Sequence, residues 1–304
     1  MRALVIGGSG QIGTWLLHTL SEHGHEAVGT FATVPYPGLV QFDSARTGEA
    51  AELLNRARPE VVFYPAGFTW VDECERDPAR ARAANFDQPL HLARLAAETG
   101  ALFVYFSTDY VFDGAAGPYH ESDPSAPLSV YGETKLAAER ALDNELGDRQ
   151  LTLRTAWVYG PERQGKNFAY QLVRALSRGN PLTCPSDQIS SPSYGPDVAL
   201  AAVLLAEQRR SGLWHVAGPE VVDRVAFARS LARGFGLDPD LILGKPTREL
   251  NQVAARPLQG GLLTHKLDAA GLIAMRPVAA AVEDFRTRFD RDPEGLRDPF
   301  AATS

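Results

Sequence analysis

A run of glycines near the start of the chain restricts the fold more than any other feature of the sequence. An apolar run suited to a buried strand, residues 3–6, is followed by Gly7-Gly-Ser-Gly-Gln-Ile-Gly13, and residues 14–20 have the pattern of a helix. Glycines spaced three apart permit, in order, a tight turn, close approach of a pyrophosphate and close packing of the helix. The free N–H groups at such a helix N-terminus bind anions. This order therefore predicts a dinucleotide-binding site.

Strands and helices alternate through the first half of the chain, which predicts a parallel α/β sheet. The predicted strands are 3–6, 25–31, 39–42, 61–64, 101–106, 151–154 and, later, 212–216. The predicted helices are 14–20, 49–56, 77–99, 131–142, 167–178, 197–208 and 224–235. Residues 181–196 have the composition of a proline- and serine-rich loop, and 255–289 that of helices and short strands. We therefore expect a doubly wound Rossmann sheet with a smaller C-terminal α/β substrate lobe.

The loosening of this alternation after residue 160 sets the expected domain boundaries. Residues 1–160 would form the NAD(P)-binding Rossmann domain, to which 195–217 return. Residues 161–194 and 218–304 would form the substrate-binding lobe and a tail. The tail from Asp290 is polar, and we expect it to be frayed.

The residues after the second predicted strand bear on the choice of cofactor. Many NAD-binding folds place an acidic residue there, about 20 residues past the glycines, to hold the ribose 2′-hydroxyl. This chain instead has Thr30-Phe-Ala-Thr33, and none of these residues is an arginine. Both threonine hydroxyls could donate to a 2′-phosphate, so we expect NADP(H) to be favoured, with NAD(H) still open. Asp43 could accept from the adenine amine or cap the next segment.

Tyr131 and Lys135 are four residues apart in a predicted helix, so they share one face of it. A lysine ammonium held there could lower the pKa of the tyrosine from its usual value of about 10. Such a tyrosine can exchange a proton with a substrate oxygen. Thr108, just after the fifth predicted strand, lies at the carboxyl edge of the sheet, where ligands bind in open α/β folds.

Composition excludes several classes of function. The formal net charge is -7 and there is no block of Lys or Arg, which argues against a nucleic-acid groove or an anionic membrane surface. No apolar run reaches about 18 residues, and no leader sequence precedes the first strand, so we expect a cytoplasmic protein. Cys74 and Cys184 are the only cysteines, and we expect both to be reduced and structural. No compact group of metal ligands is visible.

Several longer runs carry a resemblance to a known family. They are Gly7–Gly13, Phe106-Ser-Thr-Asp-Tyr-Val-Phe-Asp-Gly114, Tyr131-Gly-Glu-Thr-Lys-Leu136, Leu153-Arg-Thr-Ala-Trp-Val-Tyr-Gly160 with Asn167-Phe168, Asp187-Gln-Ile-Ser-Ser-Pro-Ser-Tyr194 and Val253-Ala-Ala-Arg-Pro257. The chain is similar to the extended short-chain dehydrogenase/reductase superfamily. Within it, nearly the whole chain resembles the dTDP-4-dehydrorhamnose reductases, and the run after Phe106 is the most specific match.

The resemblance implies that NAD(P)H delivers hydride to a 4-keto sugar carbon of a nucleotide sugar. Tyr131 would protonate the developing alkoxide, Lys135 would hold the nicotinamide ribose and tune Tyr131, and Thr108 would orient the carbonyl. The candidate cofactor-binding residues, besides Tyr131 and Lys135, are Gly7, Ser9, Gly10, Gln11, Ile12, Gly13, Thr30, Asp43, Ala66, Gly67, Asn85 and Ser107. The candidate substrate-binding residues are Thr108, Asp109, Tyr110, Trp157, Asn167, Gln188 and Arg256. Arg256 could clamp a diphosphate or form a surface salt bridge.

Alternatives remain open at this point. Sugar-nucleotide dehydratases have a second acid where this chain has Tyr110, and a 4-epimerase would need the same Tyr and Lys. The non-catalytic β subunit of methionine adenosyltransferase resembles the same family, so an NADP-binding regulatory subunit is the rival from another class. The run Tyr64-Pro-Ala-Gly-Phe-Thr-Trp70 departs from the reductase pattern, which leaves the sugar open. A homodimer is also an open expectation.

Overall fold

The computed structural model describes residues 1–33 and 35–291. Its strands are β1 Arg2–Val5, β2 Glu26–Phe31, β3 Val40–Gln41, β4 Val61–Tyr64, β5 Leu102–Thr108, β6 Gln150–Thr155, β7 Leu182–Pro185, β8 Ile189–Ser190, β9 Gly212–His215, β10 Val222–Asp223 and β11 Ile242–Lys245. Its α-helices are α1 Gln11–Glu22, α2 Thr47–Ala57, α3 Val71–Arg76, α4 Pro78–Arg82, α5 Gln88–Glu98, α6 Val130–Leu146, α7 Phe168–Leu176, α8 Gly195–Glu207, α9 Arg224–Gly234, α10 His265–Ala270 and α11 Val278–Arg291.

Seven strands form one parallel sheet in the order β3-β2-β1-β4-β5-β6-β9. Every residue of β4 and β5 is buried, because helices cover both faces of the sheet. Apolar residues of α1 and α8 pack on one face, and those of α2, α5 and α6 on the other. The predicted Rossmann fold is confirmed. The carboxyl ends of β1, β4, β5 and β6 meet at one edge, which brings the candidate residues together.

The C-terminal half has its own apolar cluster, centred on Tyr170, Phe227 and Phe285. Two small sheets accompany it: β7 pairs with β11 in parallel, and β8 pairs with β10 in antiparallel. The prediction of an irregular loop over residues 181–196 was therefore wrong in part. Helix α8 packs with the Rossmann core and β9 joins its sheet. The exact division into domains stays a prediction.

Other departures from the predicted elements are small and have local causes. Helix α6 begins one residue before Tyr131, where the Ser129 hydroxyl accepts from Gly132 N–H, and it ends at Leu146 rather than at residue 142. The predicted helix 77–99 is interrupted by a π-helical turn at Ala83–Asp87. Thr108 is the last residue of β5 rather than a loop residue. Among described residues of 255–289 only helices were found, not the short strands that we expected.

Three further expectations concern residues outside the sheet. Cys74 and Cys184 are both buried and free. In the described part of the chain, no helix is long and apolar enough to span a membrane. Asp290 lies within α11, and the rest of the tail that we expected to be frayed lies outside the described residues.

Candidate active site

The glycine loop between β1 and α1 has the geometry of a phosphate-binding turn. Gly7 has a φ of +88°, a backbone conformation that favours glycine. A Cβ atom at Gly13 would lie 2.1 Å from the carbonyl oxygen of Gly7, so only glycine lets the helix approach this closely. Gly10 precedes α1 without any side-chain cap, which leaves the N–H groups of the first turn, from Gln11 onward, available to an anion.

Two of the buried polar atoms without a partner among the described residues lie in predicted cofactor-binding positions. They are the amide nitrogen of Gln11, at the start of α1, and the hydroxyl of Ser107, near the end of β5. Buried polar groups are normally hydrogen-bonded, so both atoms are available to a ligand. Both residues were predicted to bind the cofactor, and a dinucleotide on the glycine loop fits them. Ser9 and Ile12 lie in the same loop and first turn.

The adenosine end of this site differs from the prediction. Thr30 is buried, and its hydroxyl accepts from Gly7 N–H at 3.1 Å, so it holds the glycine loop rather than facing a 2′-phosphate. Asp43 accepts from Ala45 N–H at 3.0 Å, which is the capping alternative. Exposed Thr33 shares a depression of about 340 Å³ with Asp43 and Arg46. The sequence analysis did not single out Arg46. It lies near Thr33 because β3 pairs with β2 in parallel, which brings together the residues that follow the two strands.

The loop after β4 lies against the glycine loop. A Cβ atom at Gly7 would lie 3.1 Å from the Cβ of Ala66, and one at Gly67 would lie 3.1 Å from Asn85 Oδ1. Asn85 accepts from Phe68 N–H at 2.8 Å and donates to the Phe68 carbonyl at 3.0 Å. Its amide therefore fixes this loop from the π-helical turn, and direct binding of the cofactor by Asn85 stays a prediction.

The three predicted catalytic residues meet at the end of β5. The Thr108 hydroxyl lies near enough to the Tyr131 hydroxyl to lower the pKa of that phenol. Lys135, one turn further along α6, donates to the carbonyl of Phe106 at 2.6 Å, and its Nζ lies 4.0 Å from the centre of the Tyr105 ring. Strand β5 therefore contacts both members of the Tyr-Lys pair.

Burial sets the proton affinity of this cluster. It raises the pKa of Tyr131 well above the usual value of a tyrosine, although the hydrogen bond with Thr108 opposes the shift. Burial also lowers the pKa of Lys135 to about 7. The expectation that Lys135 lowers the pKa of Tyr131 was therefore wrong for this structure, because desolvation of the phenol dominates. Tyr131 is protonated at neutral pH and can act as a proton donor.

Asp109 and Tyr110 continue the same surface. Asp109 is buried, and its carboxylate accepts from Ser190 Oγ at 2.7 Å and from Thr108 Oγ1 at 3.2 Å. Burial raises the pKa of Asp109 to about 6 despite these bonds. The Tyr110 ring meets the Tyr131 ring edge to face, with centroids 5.6 Å apart. Both residues thus lie beside the candidate catalytic group, and their predicted binding of the substrate stays a prediction.

The other predicted substrate residues are mostly engaged in structural contacts. Asn167 caps α7 and donates to the Gly160 carbonyl at 2.8 Å. Gln188 donates to side chains of Thr247 and Gln252. Arg256 pairs with Asp72 at 2.8 Å, which is the salt-bridge alternative rather than a free diphosphate clamp.

Trp157 follows β6, and its ring contacts Arg224, a residue that the sequence analysis did not single out. Trp157 has a φ of +40°, uncommon for a bulky residue. The guanidinium carbon of Arg224 lies 4.0 Å from the centre of its ring and 4.4 Å from that of Phe168. Within the described residues, the Arg224 side chain has no hydrogen bond or ion pair, and its charge acts on Asp109 and Tyr110. The sequence around the start of α9 has no motif that would have indicated Arg224 as a site residue.

The comparisons with known proteins agree with this arrangement. The family model of the RmlD substrate binding domain matches residues 1–291. The chain belongs to this family. The dTDP-4-dehydrorhamnose reductase of Streptomyces griseus is 34% identical over 289 residues, which cover 93% of this chain and 92% of that protein.

Two solved structures extend the likeness to the fold of this RmlD-family chain. A dTDP-4-dehydrorhamnose reductase from Clostridium acetobutylicum has a TM-score of 0.86 and 28% identity, covering 95% of this chain and all (100%) of that one. The Bacillus anthracis enzyme of the same name, solved in complex with NADP, has a TM-score of 0.85 and 26% identity, covering 93% and 98%. The predicted family and the oxidoreductase class are thereby confirmed. The NADP complex of the Bacillus anthracis protein agrees with the cofactor that the sequence predicts.

A second group of side chains lies at the opposite edge of the sheet. Ligand atoms of His23, His25 and Glu207 all lie within 4.8 Å of one another. The sequence showed no compact group of metal ligands, and this group forms only in the folded chain. His23 and His25 are neighbours in sequence, but Glu207 is far along the chain and joins them only because α8 packs on α1.

Proposed function

We propose that this RmlD-family chain is an NAD(P)H-dependent reductase of a nucleotide-activated 4-keto-6-deoxy sugar, with NADPH favoured. The supporting observation is that Thr108, Tyr131 and Lys135 converge at the end of β5, at the sheet edge that also carries the glycine loop. The names of the relatives agree with this substrate class, because the Streptomyces griseus protein is a dTDP-4-dehydrorhamnose reductase.

Tyr131 is the proton donor in this proposal. Negative charge develops on the carbonyl oxygen as the ketone is reduced, and a protonated phenol placed there stabilises that charge and then neutralises it. Burial keeps the pKa of Tyr131 high, so the proton is present at neutral pH. Thr108 lies beside the phenol, and its hydroxyl would turn from Asp109 to donate to the same oxygen when the ketone binds.

Lys135 positions Tyr131 and faces the cofactor in this proposal. Its bond to the Phe106 carbonyl ties α6 to β5, and its low pKa, about 7, lets it take up or release a proton near neutral pH. The glycine loop, Gln11 and Ser107 would hold the dinucleotide, which supplies the hydride when bound. Arg46 and Thr33 would face the ribose 2′-position, which favours NADP.

Arg224 is the residue that we assign to an anionic group of the substrate. Its guanidinium lies between two aromatic faces and has no hydrogen-bond partner among the described residues, which suits bidentate binding of a phosphate. Arg256, the residue expected from the sequence, is occupied by Asp72. A diphosphate at Arg224 would hold the sugar near Asp109 and Thr108.

Turnover of a dTDP-4-keto-6-deoxyhexose with NADPH and with NADH tests this function, by following the absorbance of the reduced nicotinamide. We expect turnover that is faster with NADPH and that falls by about 10²–10⁴-fold in Tyr131→Phe. The matched control is Tyr36→Phe, since Tyr36 follows β2, which is three strands away from β5 in the sheet, and its ring contacts Arg163. Cofactor binding should survive in both variants, as measured by fluorescence titration.

Tight NADPH binding without turnover on several keto sugars would contradict a reductase and favour the regulatory-subunit alternative. The cytoplasmic location and the homodimer stay predictions from the sequence. Size-exclusion chromatography with light scattering tests the second of them.

A further inference from the structure

Two imidazoles and a carboxylate converge at the amino end of the sheet, on the side away from the glycine loop. His23 and His25 flank Gly24 in the turn between α1 and β2, and Glu207 is the last residue of α8. Glu207 Oε1 lies 3.0 Å from His23 Nδ1 and 2.7 Å from His25 Nε2. The three side chains are 29%, 15% and 30% exposed, respectively, so a small ion can reach them from solvent.

This set of donor atoms has a chemical preference. Two neutral imidazole nitrogens and one carboxylate oxygen suit Zn²⁺, Co²⁺ or Ni²⁺, whereas Mg²⁺ and Ca²⁺ prefer oxygen ligands alone. Zn²⁺ bonds of about 2.0–2.2 Å in a tetrahedron separate neighbouring ligand atoms by roughly 3.3–3.5 Å. The observed separations of 2.7 and 3.0 Å need to open by only about half an ångström.

We propose that His23, His25 and Glu207 form a binding site for a zinc-type transition-metal ion, with a fourth position open to water. The ion would join the α1–β2 turn to the end of α8, two elements that belong to the Rossmann core. Strand β2 runs from this cluster to the cofactor edge, and its six residues span about 20 Å, so the ion cannot touch the reacting atoms. Its effect would be on stability.

The groups around His25 must adjust when an ion binds. The Met1 amino group lies 3.1 Å from His25 Nδ1, and Nε2 faces Glu207. A histidine that binds a metal through Nε2 carries its proton on Nδ1 and donates it to an acceptor, so ion binding requires that the Met1 amino group lose its proton or move away. The His23 and His25 rings are 6.2 Å apart between centroids, which leaves room for one ion between them.

The test uses full-length protein without a histidine tag, titrated with ZnCl₂ by calorimetry and with CoCl₂ by visible absorption. We expect one Zn²⁺ per chain, intense tetrahedral Co²⁺ bands, and a Tm that rises by about 3 °C at tenfold excess over Kd. His23→Gln and Glu207→Gln keep the size and polarity of the site. Each should weaken Zn²⁺ binding by about tenfold or more.

The matched control is His265→Gln, because His120 and His265 form another close pair of rings, with centroids 5.2 Å apart. That variant should bind Zn²⁺ like the parent protein. Binding that is unchanged in both ligand variants, or that is lost in His265→Gln, would overturn the proposal. If one ligand variant fails to fold, as judged by circular dichroism in metal-free buffer, the other and His25→Gln decide the result.

Discussion

Lys135 Nζ donates to the carbonyl oxygen of Phe106 at 2.6 Å, two residues before Thr108 on the same strand. This bond joins α6 to β5 near the point where Tyr131 meets Thr108, so we expect the lysine to position the two hydroxyls. A carbonyl acceptor and the face of the Tyr105 ring stabilise the ammonium, while burial lowers its pKa to about 7.

Lys135→Met tests this positioning role. Methionine keeps the apolar stem but cannot donate to Phe106, so we expect kcat to fall by about 100-fold or more while Tm changes by only a few degrees. The matched control is Lys266→Met. Lys266 also donates to a carbonyl, that of Leu213, and lies over an aromatic ring, but it is exposed and far along the chain from α6. Equal kcat in parent and Lys135→Met would refute the role.

The packing of the glycine loop gives a prediction about stability. In Gly13→Ala the new Cβ would lie 2.1 Å from a backbone oxygen, so the loop or α1 must move. We expect the free energy of unfolding to fall by about 1–3 kcal/mol or more and NADPH binding to be lost. Denaturant titration and fluorescence titration measure the two effects.

Gly48→Ala is the control for that substitution. Gly48 lies in the first turn of α2, and a Cβ there would meet nothing within 4 Å. Alanine should therefore raise the free energy of unfolding by up to about 1 kcal/mol. A Gly13→Ala variant as stable as the parent would show that the loop is less closely packed than described.

The parts of this chain that were predictable from sequence are those governed by local spacing. Tyr131 and Lys135 share a helix face because they are four residues apart, and the glycine loop follows a strand and opens a helix. Strands β7 and β11 were not predictable as a pair, because Leu182 pairs with Ile242 and no local pattern records that partner. Short, proline-containing strands also lack a clear alternation of apolar and polar residues.

The same limit applies to the site. The direction of the Thr30 side chain is set by its hydrogen bond with Gly7, in the loop that follows the adjacent strand β1. The local sequence does not record that partner. Arg224 meets Trp157 and Phe168 only because segments from β6, α7 and α9 converge above the sheet edge. The role of a charged side chain can be inferred only when its ion-pair partner is known, as Asp72 is for Arg256.

Asp109 gives a prediction about pH. Its folded-state pKa, about 6, lies above the ordinary value of 3.8, so its contribution to stability is full below about pH 4 and is lost as pH rises through 6. Asp109→Asn cannot ionise. Its stability relative to the parent should therefore increase with pH, by up to about 3 kcal/mol in total and by roughly half of that between pH 5 and pH 8.

Denaturant titrations of both proteins at these two pH values measure the change. Asp113→Asn is the control, because the hydrogen bond from Tyr119 lowers the pKa of Asp113 and places its titration below this range. The difference between Asp113→Asn and the parent should be constant from pH 5 to pH 8. A constant difference for Asp109→Asn as well would mean that its carboxyl is already ionised at pH 5.

Arg224 gives the most direct prediction about substrate binding. Its guanidinium has no hydrogen-bond or ion-pair partner among the described residues, so a substrate phosphate would gain charge-assisted hydrogen bonds there without displacing another contact. Such bonds contribute about 1.5–3 kcal/mol. Arg224→Met should therefore raise KM for the nucleotide sugar by about 10–150-fold and weaken dTDP binding similarly, with a smaller change in kcat.

Arg256→Met is the matched comparison. Arg256 is already paired with Asp72, so its loss should lower stability but change KM by less than about threefold. Calorimetry with dTDP alone measures binding without turnover, and thymidine, which lacks the phosphates, should bind parent and Arg224→Met equally. A reversed outcome, with dTDP binding lost in Arg256→Met and kept in Arg224→Met, would mean that the Asp72 pair opens for the substrate and that Arg224 serves only to pack Trp157 against Phe168.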